Sequence, residues 1–249
     1  MSDLHIEVVP TALLAERAAV WVADRLWTAM GERGVAHLAV SGGATPVALF
    51  GSLATMNLPW NRLHIWQVDE RIAPNGSADR NAGQLDALGS VGCKVHVMPV
   101  DVDDNPAAAA RLPPPRDGLG EWNRPGADSV SDGHVLGLDA AAERYAVLFP
   151  DRFDVVHLGL GDDGHTASWP PGDDVVTSCA RVEIVGPFNG RRRMTMTPLV
   201  INQARHIMFL VSGSAKAAIL ARLYAGDPSI PATVVRRPGT VILTDVSIS

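Results

Sequence analysis

An apolar run, Phe153-Asp154-Val155-Val156-His157-Leu158, empties into Gly159-Leu160-Gly161-Asp162-Asp163-Gly164-His165-Thr166-Ala167-Ser168. Glycines let the backbone turn sharply at the end of a strand, and polar residues set between them lie where open α/β sheets bind ligands. Histidine titrates near neutral pH, and a neighbouring carboxylate fixes its tautomer and raises its basicity. Asp163 and His165 therefore read as an orienting acid and a general base. A ring that merely caps its own loop is the plainer alternative, but strained glycine turns gather at functional sites. His157 lies inside the strand and is expected to be a satisfied core or sheet-face residue. Gly159, Gly161 and Gly164 also fit G-x-G-x-x-G, the dinucleotide fingerprint, and Glu183 sits near the distance of a ribose-binding acid. Two features exclude that fingerprint. Asp162 and Asp163 put negative charge where a pyrophosphate must rest, and Trp169-Pro170-Pro171-Gly172 leaves too little room for the long helix that should hold it.

Three further segments bring anion-binding chemistry. Ser41-Gly42-Gly43-Ala44-Thr45-Pro46 follows an apolar strand and opens a helix. Thr45 suits the N-cap, Pro46 suits the first helical position, and Gly42 and Gly43 let the backbone close on a ligand. Free amides at a helix start, with the dipole behind them, make an anion site; a tight turn without a ligand is the competing reading. Asp69-Glu70-Arg71 also follows a strand and precedes the loop 74–80 and Asn81, either as ligand contacts or as a carboxylate–arginine pair on a solvated loop. Ser212-Gly213-Ser214-Ala215-Lys216 joins a strand to a helix. A lysine in a first turn opposes the helix dipole, which points to a compensating anion unless the side chain only snorkels at the surface. The run Arg191-Arg192-Arg193 has the look of a solvated face, with Arg193, at a strand edge, placed to turn inward. Ser41, within Ala39-Val40-Ser41-Gly42-Gly43, approximates a nucleophile elbow. The elbow's first position is Ala instead of Gly, and the later histidine, His206, opens a strand, so a serine esterase is the weakest candidate.

Short apolar runs alternate with helical patterns along the chain, the signature of a parallel sheet covered by helices. Strands are expected at 5–9, 35–40, 63–68, 94–98, 153–158, 180–185, 193–197, 206–211 and 240–244, and helices at 12–31, 46–55, 81–88, 139–148 and 214–225. In the first helix Leu14, Ala18, Val22, Leu26 and Met30 form one apolar ridge, with Glu16, Arg17, Asp24 and Arg25 off it. Residues 101–134 break the rhythm: Pro106, Pro113-Pro114-Pro115 and Pro125 leave room for one short helix around 107–111. Structureless loops beyond about 12–15 residues are uncommon, and this one is expected to be a surface excursion in preference to a lid over the substrate.

The chain has 249 residues, 47% hydrophobic and 19% charged, enough for a single well-cored α/β domain spanning 1–249. Its formal charge of −6 argues against nucleic acid or an anionic membrane as partner, so any anionic substrate must meet a locally basic pocket. Cys93 and Cys179 fit no metal or redox spacing, which implies a reduced, cytoplasmic setting and no metal site. The start, Met1-Ser2-Asp3-Leu4-His5-Ile6-Glu7, lacks the basic residues and apolar run of a signal peptide. Residues 34–61 contain no Asp, Glu, Lys or Arg, yet Ser41-Gly42-Gly43 and Thr45-Pro46 interrupt the ~20 apolar residues that a spanning helix needs, leaving a buried strand, a turn and a helix.

Taken together, Ser41–Pro46, Asp69-Glu70-Arg71, Gly159–Ser168, Arg193-Met194-Thr195-Met196-Thr197 and Ser212–Lys216 resemble, in order and over nearly the whole chain, the 6-phosphogluconolactonase branch of the sugar-phosphate family shared with glucosamine-6-phosphate deaminase. The block Asp163-Gly164-His165-Thr166-Ala167-Ser168 is the most specific part, because the deaminase branch typically follows Asp-Gly-His with Ile-Ala-Phe-Asn-Glu. The resemblance implies a Rossmann-like, mainly parallel sheet with helices on both faces, plus a small additional β element. It implies hydrolysis of 6-phospho-D-glucono-1,5-lactone to 6-phosphogluconate, in the oxidative branch of the pentose phosphate pathway, without a cofactor and as a monomer or weak homodimer. On this match His165 is the general base, Asp163 orients it, Asp69 and Arg71 line the site, and Gly42, Gly43, Thr45, Arg71 and Lys216 form the phosphate cradle. Ser41 and Arg193 are further possible contacts. A deaminating isomerase and a non-catalytic sugar-phosphate sensor are the alternatives within the fold; no helix-turn-helix or basic face accompanies the chain as a sensor would require. Trp169-Pro170-Pro171 stands where the family usually has Leu-Phe-Pro and is expected to reshape the pocket wall.

Overall fold

A computed structural model describes residues 4–100, 110–111 and 135–247. Its strands are β1 (His5–Val8), β2 (Ala36–Val40), β3 (Leu63–Gln67), β4 (Asp69–Arg71), β5 (Lys94–His96), β6 (Ala110–Arg111), β7 (Val135–Leu136), β8 (Val155–Leu158), β9 (Val182–Phe188), β10 (Arg191–Met196), β11 (His206–Val211) and β12 (Thr240–Thr244). The α-helices are α1 (Thr11–Arg33), α2 (Ala44–Ala54), α3 (Asp86–Gly89), α4 (Leu138–Val147), α5 (Pro198–Ile201) and α6 (Ala217–Ala225).

Seven strands form one parallel sheet in the order β1-β12-β11-β8-β2-β3-β5. Strands buried on both faces must be apolar at nearly every position, as β8 and β11 are. The two-residue period of a strand divides these side chains between two cores. Leu38 and Val40 of β2, Met208 and Leu210 of β11 and Leu243 of β12 pack with α1 and α2. Ala39, Val156, Leu158, Phe209 and Ile242 face the other way, against α4, α6 and the second sheet. The ridge expected on the first helix is real: Leu14, Ala18, Val22, Leu26 and Met30 are all buried, and Gly34, with φ 80°, ends the helix in the left-handed conformation.

From the centre the chain runs β2 to β3 to β5 in one direction and β8 to β11 to β12 in the other, with β1 closing the far edge. The β2/β8 boundary is therefore the topological switch point, where ligand crevices form outside the carboxyl ends of strands. Both glycine-rich loops leave the sheet there.

The additional β element is a three-stranded antiparallel sheet, β4-β10-β9. It corrects the reading of Asp69-Glu70-Arg71 as loop: after Val68 the chain enters this second sheet, pairing Arg71 with Arg193 and Asp69 with Thr195. Other boundaries shift for local reasons. The helix expected at 81–88 is a 3₁₀ turn, Asn81–Leu85, followed by the short α3, because the Asn81 and Ala82 amides donate to the buried Glu70 carboxylate instead of to a cap of their own. That expected at 214–225 is a 3₁₀ turn, Ser214–Lys216, and then α6. In α2 the cap is Gly43 (φ 126°), not Thr45, which sits inside the first turn. Of the short helix expected at 107–111, residues 107–109 and most of the excursion lie outside the described residues, and Ala110–Arg111 is a strand paired with β7. No helix among the described residues is long and apolar enough to cross a membrane, and 34–61 forms β2, the turn and α2.

Candidate active site

The loops after β2, β8 and β11, with β4 and β10 of the second sheet, converge on a cavity of about 340 Å³ at the carboxyl edge of the parallel sheet. Of the sequence-predicted residues, Ser41, Gly42, Gly43, Thr45, Asp69, Arg71, His165, Arg193 and Lys216 line it. Asp163 does not; it stands behind His165. A net-negative chain thus collects three cationic side chains, Arg71, Arg193 and Lys216, around one opening.

The His165 loop is held by its own bonds. Gly161 donates its amide to the His165 carbonyl (2.8 Å), Gly164 donates to the Gly161 carbonyl (3.0 Å), and Thr166 Oγ1 donates to the Gly159 carbonyl (2.8 Å). A Cβ on Gly161 would lie 2.0 Å from His165 Nδ1, and one on Gly164, where φ is +87°, would lie 2.5 Å from Ile230 Cβ. Two of the three glycines are therefore dictated by close approach, not by a nucleotide. Ala167, on the cavity wall, holds φ at 50°, an uncommon value for a non-glycine residue.

His165 Nδ1 lies 2.5 Å from Asp163 Oδ1, and the same oxygen accepts the His165 backbone N–H at 3.1 Å. Partial burial by itself would raise the Asp163 carboxyl, but the hydrogen bonds and charge attraction of His165 outweigh it and hold the group below the ordinary carboxylate range. An ionised Asp163 accepts the Nδ1 proton and fixes the tautomer that leaves Nε2 as the acceptor. The ring is a quarter exposed and meets the edge of Phe188 at 5.0 Å. It faces the opening, not the packed interior.

Also lining the cavity, Asp69 is buried and accepts from Ser168 Oγ (2.7 Å), while Arg193 reaches the same hydroxyl at 3.5 Å and donates from Nε to the Phe188 carbonyl (3.2 Å). Arg191, two positions earlier on the strand, instead pairs with Asp79 on the exposed side; strict alternation would put both on one face, and the irregular register between them turns Arg193 inward as expected. Arg71 is fastened to the Asp79 carbonyl (2.7 Å) and approaches Asn81 Oδ1 (3.5 Å). Glu70 does not reach the cavity. Fully buried, it accepts from Gln67 Nε2 and from the amides of Arg71, Asn81 and Ala82, with Arg80 Nε at 3.5 Å, and so ties the 79–82 turn to β4.

Lys216 donates to the Leu160 carbonyl (2.7 Å) and pairs with Asp162 (2.6 Å). The compensating anion that its helix position called for is supplied at least partly by the chain itself. On the other rim the Gly43 N–H is taken by Gln84 Oε1 (2.9 Å), leaving the first-turn amides of α2, those of Ala44 and Thr45, without intrahelical acceptors. Ser41 Oγ is buried at the wall with no hydrogen-bond partner among the described residues, so no base is set to activate it as a nucleophile. Trp169 corrects a further expectation. It is fully buried, donates from Nε1 to the Met196 carbonyl (2.8 Å), and forms no part of the cavity wall.

Asn81 is a cavity residue to which the sequence assigned no role. Its side-chain Nδ2 donates to the Asp69 carbonyl (3.2 Å), and the same side chain fills the space over Gly42, where a Cβ would come within 2.3 Å of it. The only signal was a polar residue opening the segment after the 74–80 loop, and nothing local ties that loop to Gly42.

Residues 10–243 match the family model described as glucosamine-6-phosphate isomerases/6-phosphogluconolactonase. A 6-phosphogluconolactonase of Synechocystis sp. is 34% identical over 238 residues, covering 92% of this chain and 90% of its own length. One from Mesorhizobium japonicum is 35% identical over 232 residues, covering 89% and 85%. The crystal structure of a 6-phosphogluconolactonase from Shewanella baltica superposes with a TM-score of 0.77 at 25% identity, covering 99% of both chains. With its switch-point cavity, its second sheet and its glycine-framed histidine, the chain belongs to the glucosamine-6-phosphate isomerase/6-phosphogluconolactonase family.

Proposed function

We propose that the chain hydrolyses 6-phospho-D-glucono-1,5-lactone to 6-phosphogluconate, the lactone-opening step of the oxidative pentose phosphate pathway, with His165 as general base. The observation that carries this reading is an imidazole whose Nδ1 is tied to Asp163 inside a cavity that also holds Arg71, Arg193 and Lys216. The phosphate docks against Lys216, Arg71 and the first-turn amides of α2, displacing Asp162 from Lys216 and fixing the ring against His165. Gly42, Gly43 and Thr45 shape that rim, and Ser41 Oγ offers an unspent hydroxyl. Nε2 of His165 takes a proton from water as its oxygen bonds to the lactone carbonyl carbon. The Gly161 and Gly164 amides are engaged inside their loop, so Arg193 and Arg71 are the donors for the developing oxyanion. Collapse breaks the bond to the ring oxygen, which recovers the proton from the imidazolium. The acyl carbon is already electrophilic, so these steps require no metal or organic cofactor. The same reading takes residues 1–249 as one sugar-phosphate-binding domain, cytoplasmic, monomeric or weakly dimeric, with no nucleic-acid or membrane partner.

The test is a pH-stat assay on freshly prepared 6-phosphogluconolactone, with the unphosphorylated lactone as comparison and ammonia release from glucosamine 6-phosphate measured alongside. Acid release faster than spontaneous opening, with a strong preference for the phosphorylated lactone, is expected. Ammonia release without lactone opening would instead make the chain a deaminating isomerase. Lys216→Ala is expected to raise KM for the phosphorylated lactone about tenfold with a smaller change in kcat, and an unchanged KM removes Lys216 from the cradle.

A further inference from the structure

At the amino edge of the parallel sheet, away from the candidate active site, lies a second cavity of about 630 Å³. Five arginines line it: Arg25 and Arg33 from α1, Arg152 before β8, Arg205 before β11 and Arg236 before β12. Against them stand two carboxylates, Glu32 and Asp154. Asp154 is fully engaged, accepting from Arg33 (2.8 Å) and the His37 amide (2.8 Å), with Arg205 at 3.3 Å. Glu32 pairs with Arg33. Arg33 is thus accounted for, and as a last-turn cation it also complements the end of α1.

Arg205 shares Asp154 with Arg33, and the other three are not neutralised in this way. Among the described residues Arg236 donates only to backbone carbonyls, those of Ala204 and Arg205. Arg25 donates to the Trp21 carbonyl (2.8 Å); its nearest carboxylate, the exposed Asp24, is 3.8 Å away and does not line the cavity, and its Nε is buried with no hydrogen-bond partner among the described residues. Arg152 is exposed at the rim. A chain with a formal charge of −6 has no electrostatic reason to gather this much uncompensated positive charge on one concave surface, whereas planar guanidinium forks match phosphate oxygens.

We infer that this cavity is a second anion site, separate from the lactone site, that takes a chain of two or more phosphate groups. The four incompletely compensated guanidiniums come from four different parts of the fold, so one phosphate reaches only some of them and a linked chain reaches more. His206 lies in the cavity wall, facing Trp21 and Arg25 of α1, Asp154 and Arg205 of the flanking loops, and Arg236. Burial, and then Arg25 and Arg236, hold its imidazole below the ordinary value despite Asp154. It therefore reports on the cavity, because a bound polyanion pushes it back up.

The experiment is calorimetric titration of the whole chain with sodium tripolyphosphate and, separately, with ATP, on wild type, Lys216→Ala and the double variant Arg152→Gln/Arg205→Gln, with melting temperature as the folding control for all three and lactone hydrolysis as a second control for the arginine variant. Expected are tripolyphosphate binding that survives Lys216→Ala, falls at least tenfold in the arginine variant, and raises the titration midpoint of the His206 ring signal in NMR of the wild-type chain. ATP binding with the same arginine dependence identifies nucleoside polyphosphates as the source, and binding of tripolyphosphate alone identifies inorganic polyphosphate. Absence of tripolyphosphate binding overturns the inference, as does binding lost in Lys216→Ala but kept in the arginine variant. An unmoved His206 signal on binding also overturns it, and that readout needs no variant to fold.

Discussion

Two histidines eight positions apart sit in opposite surroundings. His157 sits in β8 with Val40 and Met208 as its sheet neighbours and Phe50 across from it, wholly buried, and neither ring nitrogen has a hydrogen-bond partner among the described residues. Burial pushes it down to about 3. His165, past the three-glycine turn, has one nitrogen held by Asp163 and the ring open to a cavity. The side chain is the same, and what differs is a partner for Nδ1 and access for Nε2. The expectation that His157 is a satisfied core residue is half right: it is core, and its nitrogens go unsatisfied.

The largest effect that separates the two is expected from His165→Ala. It should leave a folded protein whose lactone hydrolysis falls by ~10²–10⁴-fold, the range of positioned acid–base catalysis. Near-normal turnover by that variant ends the general-base assignment. Gly161→Ala attacks the same pair from the backbone: its Cβ would overlap His165 Nδ1, and a loss of kcat of about 10²-fold with an unchanged melting temperature is expected, since a misplacement of about 1 Å is enough. A collapse of the fold instead would mean that the glycine serves stability.

His157→Leu probes the other member. The unfolded chain takes up a proton at this histidine near pH 6.5 but the folded chain only near pH 3, so falling pH favours unfolding across that window. At ~1.4 kcal/mol per pH unit, the wild type should lose about 2–3 kcal/mol relative to His157→Leu between pH 6.5 and 4.5, read as diverging urea midpoints with unchanged kcat at neutral pH. Parallel midpoints would show that His157 is not held neutral. The smallest effect is expected from Asp163→Asn, about tenfold in kcat, with an altered pH profile as the tautomer loses its anchor. An unchanged profile would assign the tautomer to the loop backbone.

Much of the architecture was legible because it rests on local patterns. The ridge Leu14-Ala18-Val22-Leu26-Met30 names a buried helix face, and β8 and β11, apolar at almost every position, name strands covered on both sides. Asp69–Arg71 was misread because three polar residues carry no strand pattern; they form a strand because β10, more than a hundred residues later, pairs with them. Thr45 was misassigned as the cap because Gly43, with its positive φ and its amide on Gln84, starts α2 two residues early. Glu70 was indistinguishable from its neighbours, since only the folded chain shows four donors meeting on its buried carboxylate.

By itself the sequence determined which residues are chemically able to form a site, because type and spacing fix what a side chain can donate or accept: Asp163-Gly164-His165, Ser41-Gly42-Gly43 and Lys216 are all read from short segments. Tertiary structure alone decided that these segments share one opening, that Arg193 and not Arg191 faces it, that Trp169 is core, and that Asn81 occupies the space over Gly42. Contacts between distant segments depend on the order in which strands enter the sheet. That order is set by the packing of both its faces together, which no short stretch of chain encodes.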